Sequence, residues 1–162
     1  MRVVRNLEES LWQEFVHHNP RANIFHTPEL FQVFARTKGY HPTLLAIVGD
    51  GEQVLALLLP VQVTVLDGFL RHFTTRAVVY GSVLCAPGPG GAQALELLLQ
   101  TYNRAIERRV LLTELRNLSD LSDPQPILEH NGFAFEEHSD FMIDLDQAEE
   151  TIWAKISRSA RQ

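Results

Sequence analysis

Chemistry in this chain would have to come from a few short segments. Tyr80-Gly81-Ser82 follows the β-branched pair Val78-Val79. A strand that breaks at glycine lets backbone approach a ligand and leaves Tyr80 at the rim; the other reading is a core tyrosine beside a bulge. A little further on, Cys85-Ala86-Pro87-Gly88-Pro89-Gly90-Gly91 joins a strand to a helix, and backbone N–H groups at a helix N-terminus can hold a pyrophosphate. Gly88, Gly90 and Gly91 would supply that backbone, whereas Pro87 and Pro89 remove donors, so a plain strand-to-helix connection is the competing reading. His26 precedes Thr27, a good helix N-cap, and could face the same cleft. Glu114 and Arg116 stand at the end of a strand, where a carboxylate can act as a base or simply pair at the surface; Asp140 and Asp144 invite the same two readings.

Other chemistries are argued against. His41, His72, His130 and His138 are scattered without metal-ligand spacing, and His17-His18 sits near a helix C-terminus, where cations offset the macrodipole. His138, Ser139 and Asp140 are adjacent, but neighbours on a strand point to opposite faces and cannot form a triad together. The single cysteine, Cys85, has no partner for a disulfide or a CxxC site, which points to a reducing compartment, the cytoplasm. A net charge of −6 and a pI near 5.6 do not suit a phosphate-contacting surface, so DNA is not an expected partner. Basic residues do gather at Lys155, Arg158 and Arg161 and at Arg71 and Arg76, which leaves a local anionic ligand open. The N-terminus lacks the apolar core of a signal peptide, and no run reaches the ~18 apolar residues of a transmembrane segment.

The elements that must position these residues follow from periodicity. Residues 8–18 carry Leu11, Trp12, Phe15 and Val16 at helical spacing, stopped by Asn19-Pro20. Thr27-Pro28 opens a second helix with Leu30, Phe31, Phe34 and Ala35 inward, closed by Gly39. Residues 44–48 and 54–65, joined by Gly49-Asp50-Gly51, read as a β-hairpin whose turn residues tolerate positive φ. A further strand lies within residues 69–84, clearest at 77–80 and continuing into Val83-Leu84. A helix follows from about Ala92 to Arg109, with Leu95, Leu98, Leu99, Tyr102 and Ile106 on one face. Residues 110–115 read as a buried strand, 126–131 as a short helix ended by Gly132, and Phe133 to Leu145 as a final strand pair. A last helix starts near Ala148 and is still running, uncapped, at Gln162, which reads as a chain cut within a connector. The fold class is therefore α/β, with helices flanking a mixed central sheet, as one domain over residues 1–146 and a connector over 147–162.

This order of elements resembles the GNAT fold, and several segments resemble the first half of Fem-type (FemAB-like) acyltransferases. They are 12–20, Ile24-Phe25-His26-Thr27-Pro28-Glu29-Leu30, Gly39-Tyr40-His41-Pro42, Tyr80-Gly81-Ser82-Val83-Leu84, and the terminal Ile152-Trp153-Ala154-Lys155-Ile156-Ser157-Arg158-Ser159-Ala160-Arg161. The resemblance implies transfer of an aminoacyl or acyl group to an amine of a cell-wall or cell-surface precursor, with a C-terminal GNAT-like domain as the missing partner and this half inactive alone. The donor would be an aminoacyl-tRNA or an acyl-coenzyme A, with no tightly bound cofactor. By position in the family, Arg36 and Lys38 at the end of the second helix and Tyr80 and Gly81 after the strand would contact substrate, and an Arg or Lys there could pair with a precursor phosphate; the alternative is a solvated helix end. GNAT-like folds bind ligands where their strands part, near Glu114 and Arg116. The 85–91 turn overlays on the GNAT coenzyme A signature, with Cys85 where the family has Gln or Arg. A free-standing acetyl-coenzyme A N-acetyltransferase and a non-catalytic binding module remain the alternatives.

Overall fold

The computed structural model describes residues 1–64, 74–106, 109–136 and 146–155. Along the chain run β1 (Arg2–Val4), α1 (Glu9–His18), a single 3-10 turn (Ile24–His26), α2 (Pro28–Arg36), β2 (Tyr40–Pro42), β3 (Leu45–Val48), β4 (Val54–Leu58), β5 (Val61–Thr64), β6 (Thr75–Tyr80), β7 (Leu84–Cys85), α3 (Pro89–Ile106), β8 (Thr113–Arg116), α4 (Gln125–His130) and α5 (Glu149–Lys155). None of the described helices is long and apolar enough to cross a membrane.

Where one mixed sheet was expected there are two, each of four strands, ordered β1-β3-β4-β7 and β2-β5-β6-β8. The reason lies in the chain's interruptions. The expected strand over residues 54–65 is cut at Leu59-Pro60, where proline has no N–H to give a ladder; β4 pairs with β3 and β5 pairs with β2 and β6. The strand expected to run on into Val83-Leu84 is cut at Gly81 and Ser82, so β6 serves one sheet and β7 the other. All these pairings are antiparallel except β6 with β8, which run parallel with Tyr80 opposite Arg116 at the end of their register.

Two cores hold the layers together. On one face α3 sets Ala94, Leu95, Leu98, Leu99 and Tyr102 against Leu45, Ile47, Ala56, Leu58, Val79 and Val83, the inward stripe expected from the helical repeat. On the other, Trp12 of α1 packs with Leu44, Ala46, Leu57, Leu59 and Leu84. The indole is anchored twice: its Nε1–H donates to the His26 carbonyl at 2.6 Å, and its ring meets Phe31 edge-on at 5.4 Å.

Several local expectations change. The positive φ of the hairpin turn falls on Glu52 (φ 60), not on Gly49 or Gly51. α2 buries less than expected, with Ala35 exposed and Leu30, Phe31 and Phe34 half-buried. α3 starts at Pro89, so Gly90 and Gly91 are helical rather than part of the breaker; proline at the first helical position gives up an N–H that no helix carbonyl would have used. β8 is four residues long, and the preceding Leu111 and Leu112 are exposed. Phe133 and Phe135 lie outside any strand; the rest of the expected strand pair and the basic end of the last helix lie outside the described residues.

Candidate functional site

β6 and β8 run side by side and then part, because two consecutive residues at the end of β6 adopt left-handed backbone: Gly81 at φ 78 and Ser82 at φ 73. Two such residues turn the strand out of its pleat and send β7 to the other sheet. Glycine takes this conformation freely; serine does not.

The break is braced from behind by the 3-10 turn. Asn23 caps that turn, its Oδ1 accepting from the Phe25 N–H at 3.0 Å, while its own N–H donates to His26 Nδ1 at 3.1 Å. With Nδ1 accepting, the ring proton sits on Nε2, which faces the Ser82 carbonyl at 3.3 Å. His26 is 1 % exposed, and burial depresses its pKa, against the pull of its backbone hydrogen bonds. The neutral ring is thus engaged on both nitrogens. Gly81 lies so close beneath it that a Cβ there would fall 2.6 Å from Asn23 Oδ1 and 2.8 Å from His26 Cε1.

A depressed histidine pKa gives stability that is complete above the unfolded value near 6.5 and is lost as pH falls through it toward the folded value. Between the two, the unfolded chain holds a proton the native one lacks. Unfolding free energy should therefore fall by up to about 1.4 kcal/mol per pH unit below about pH 6.5 from this group alone. Denaturant melts of wild type and His26→Gln at pH 7.5, 6.5 and 5.5 check this; an equal slope in both proteins would remove His26 as its source.

Where the strands part, two buried side-chain oxygens have no hydrogen-bond partner among the described residues: Ser82 Oγ and Asn117 Oδ1. Asn117 directly follows the last paired residue of β8, and Ser82 lies two beyond the last of β6. An unpaired buried polar atom costs about 1–3 kcal/mol, so each calls for a physical reason.

On the adjoining sheet face, aromatic rings form a column: Phe25 on Tyr80 at 5.5 Å, Tyr80 on Phe34 at 5.1 Å, and Phe34 on Tyr40 at 5.9 Å, all nearly parallel. The Arg116 guanidinium lies over Tyr80, 5.3 Å from the ring centre, and its Nε–H donates to Glu114 Oε1 at 2.8 Å. Arg76 approaches the other carboxylate oxygen at 3.7 Å.

Beyond β7, the chain enters α3 through residues 86–88. The Ala86 N–H donates to the Leu55 carbonyl at 2.8 Å and the Ala92 N–H to the Gly88 carbonyl at 3.1 Å. The N–H groups of Gly88, Gly90 and Gly91 have no backbone acceptor among the described residues. Cys85 stands half-buried before this turn, its thiol pKa pushed up by burial while the Arg21 guanidinium pulls the other way, so it is a poor nucleophile. Asn19 Nδ2 donates to the Cys85 carbonyl at 2.9 Å, and Arg21 pairs with Asp123, tying the end of α1 to β7 and to the connector after β8.

Of the residues singled out in the sequence, Tyr80, Gly81 and His26 come together, the last behind the strand break rather than at its open side. Gly88, Gly90 and Gly91 lie past β7 at the start of α3. Arg36 and Lys38 are exposed at the end of α2 and in the turn leading to Tyr40. Asn23 and Asn117 were missed. Asn23 carried a signal, an N-cap residue three before a side chain able to return the bond; Asn117 carried none.

No family model matches the chain, and no curated protein matches it. Solved structures do. An aminoglycoside antibiotic 6'-N-acetyltransferase from Acinetobacter haemolyticus superposes with a TM-score of 0.58 at 16% identity, covering 90% of this chain and 100% of its own. A ribosomal-protein-alanine N-acetyltransferase from Brucella melitensis gives 0.56 at 10% identity, again over 90% and 100%. A transcriptional regulator from Bacillus halodurans gives 0.53 at 20% identity, over 88% and 99%. At such identities the likeness is one of fold: this chain has the fold of the GNAT-type acetyltransferases.

Proposed function

We propose that the chain transfers an acyl group from a thioester donor, an acyl-coenzyme A, to an amine, with the donor lying where β6 and β8 part. The observation that carries this reading is the pair of unpartnered oxygens, Ser82 Oγ and Asn117 Oδ1, flanking that parting. A chain bearing amide groups, laid between two separated strands, satisfies such atoms as a neighbouring strand would. The donor's diphosphate end has the three glycine N–H groups at the start of α3 to bind, fewer than a turn without Pro87 and Pro89 would offer, and with Cys85 in place of a cation or amide. When bound, the donor supplies the activated carbonyl; the protein's part is to hold it beside the amine and keep water out.

Calorimetric titration with acetyl-coenzyme A tests this. Ser82→Ala removes one orphan hydroxyl and should leave stability unchanged or slightly higher while weakening donor binding about tenfold, the worth of one hydrogen bond made on binding. No binding to the wild type would overturn the reading.

The weakened turn favours a second reading, in which the chain is the amino-terminal half of a Fem-like acyltransferase. A second GNAT-like domain would then carry the donor site, an aminoacyl-tRNA would be the donor, a cell-wall or cell-surface precursor the acceptor, and Arg36 and Lys38 would meet its phosphate. Binding of acetyl-coenzyme A to this chain alone decides between the two.

A further inference from the structure

Residues on one face of the β2-β5-β6-β8 sheet gather two guanidiniums around one carboxylate, with the Tyr80 ring beneath one of them and the Tyr40 ring further along the same aromatic column. Arg76 and Tyr80 alternate on β6, and Glu114 and Arg116 on β8, so all four side chains leave the sheet on one side. Glu114 takes a single N–H from Arg116 and a longer contact from Arg76, leaving most of the five donors of each guanidinium without a partner among the described residues. The cluster carries one positive charge in excess, in a chain whose net charge is −6. Both guanidiniums and the carboxylate are between about a third and a half exposed. Neither Tyr40 nor Tyr80 hydroxyl has a hydrogen-bond partner among the described residues, and Phe34, stacked between the two rings, holds them in parallel.

We propose that this face binds the carboxylate of the acceptor, so that the amine acylated here belongs to an amino acid or another amine bearing a carboxylate. Arg116 is the main contact, because its plane is already fixed by the Tyr80 ring beneath it and by Glu114 at Nε. A guanidinium held in one orientation loses little entropy on forming a fork with a second carboxylate. Glu114 competes for the same donors and tunes the affinity. One excess positive charge matches a monoanion. The site also lies on the strand pair whose parting receives the donor, Tyr80 and Arg116 being the last residues in register.

The word acceptor rests on the acyl-transfer reading; carboxylate binding stands apart from it and is measured apart. The probes are N-acetyl-L-phenylalanine and its amide, which differ only in the charged group, followed by chemical-shift titration of the whole chain. The acid should bind at least about tenfold more tightly than the amide, the worth of one charge-assisted hydrogen bond. Arg116→Gln should erase that difference, Arg76→Gln should reduce it, and Glu114→Gln should tighten the acid several-fold. Arg76 and Arg116 are exposed and Glu114 is partly so, and thermal melts confirm that each variant is folded. Equal binding of acid and amide, or an undiminished difference in Arg116→Gln, would overturn the proposal. Displacement of the acid by equimolar inorganic phosphate would overturn it too, by revealing a general oxyanion site. Absence of acetyl-coenzyme A binding would instead end the reading in which this chain itself holds the donor and leave the carboxylate site intact.

Discussion

Gly81→Ala should lower the unfolding free energy by about 2–5 kcal/mol and the melting temperature by about 5–15 °C. Two costs add. The residue sits at φ 78, where a side chain costs about 1–2 kcal/mol, and the new methyl would meet Asn23 Oδ1 at 2.6 Å, His26 Cε1 at 2.8 Å and Asn23 Nδ2 at 2.9 Å. Neither neighbour yields cheaply, since Asn23 caps the 3-10 turn and the His26 ring is bonded at both nitrogens. Adding Asn23→Ala should recover part of the steric cost but not the backbone cost. Thermal melts of the single and double variants separate the two terms, and a melt of Gly81→Ala within a degree or two of wild type would contradict this account of the strand break.

Gly91→Ala should be strongly destabilising, although the position is helical and alanine there would ordinarily gain up to about 1 kcal/mol. Its Cβ would fall 1.7 Å from the Ala86 carbonyl oxygen and 2.6 Å from the carbon. Both sides of that contact are pinned, Ala86 by its bond to Leu55 and the helix start by the bond from Ala92 to Gly88. The turn or the first turn of α3 must therefore move, at an expected cost of about 3 kcal/mol or more. Gly90→Ala, one residue earlier, meets nothing within 4 Å and should be neutral or stabilising by up to about 1 kcal/mol. Opposite signs at adjacent positions, read from denaturant unfolding, are the expected result. A gain at both would mean that the close approach of α3 to Ala86 is not maintained.

What the sequence made legible divides along physical lines. Local signals held: the Thr27-Pro28 helix start, the Gly132 helix end and the inward stripe of α3 each depend on residues within a turn or two. The break at Gly81 was visible because a glycine after Val78 and Val79 has few other uses, but nothing local forces Ser82 into left-handed backbone as well, and it is the two residues together that send β7 to the other sheet. The splitting of one expected sheet into two has the same origin, since Pro60 and Gly81 were each visible without showing that the strands on either side change partners. Arg116 and Tyr80 were both noticed separately; their contact depends on the parallel register of β6 with β8, which residues 36 positions apart do not announce. The Arg21–Asp123 pair, spanning α1 and the connector after β8, is of the same kind. On sequence alone His26 could face a cleft; its burial and its two ring hydrogen bonds, which brace the strand break, follow from where Ser82 and Asn23 lie in space.

The central claim is that a thioester donor lies in the parting of β6 and β8. It is tested most directly by titrating acetyl-coenzyme A into the isotopically labelled chain and following the backbone amides. Saturable shifts at Gly81, Ser82 and Asn117 together with Gly88, Gly90 and Gly91 are the expected result; shifts confined to other parts of the chain, or none at millimolar donor, would contradict it.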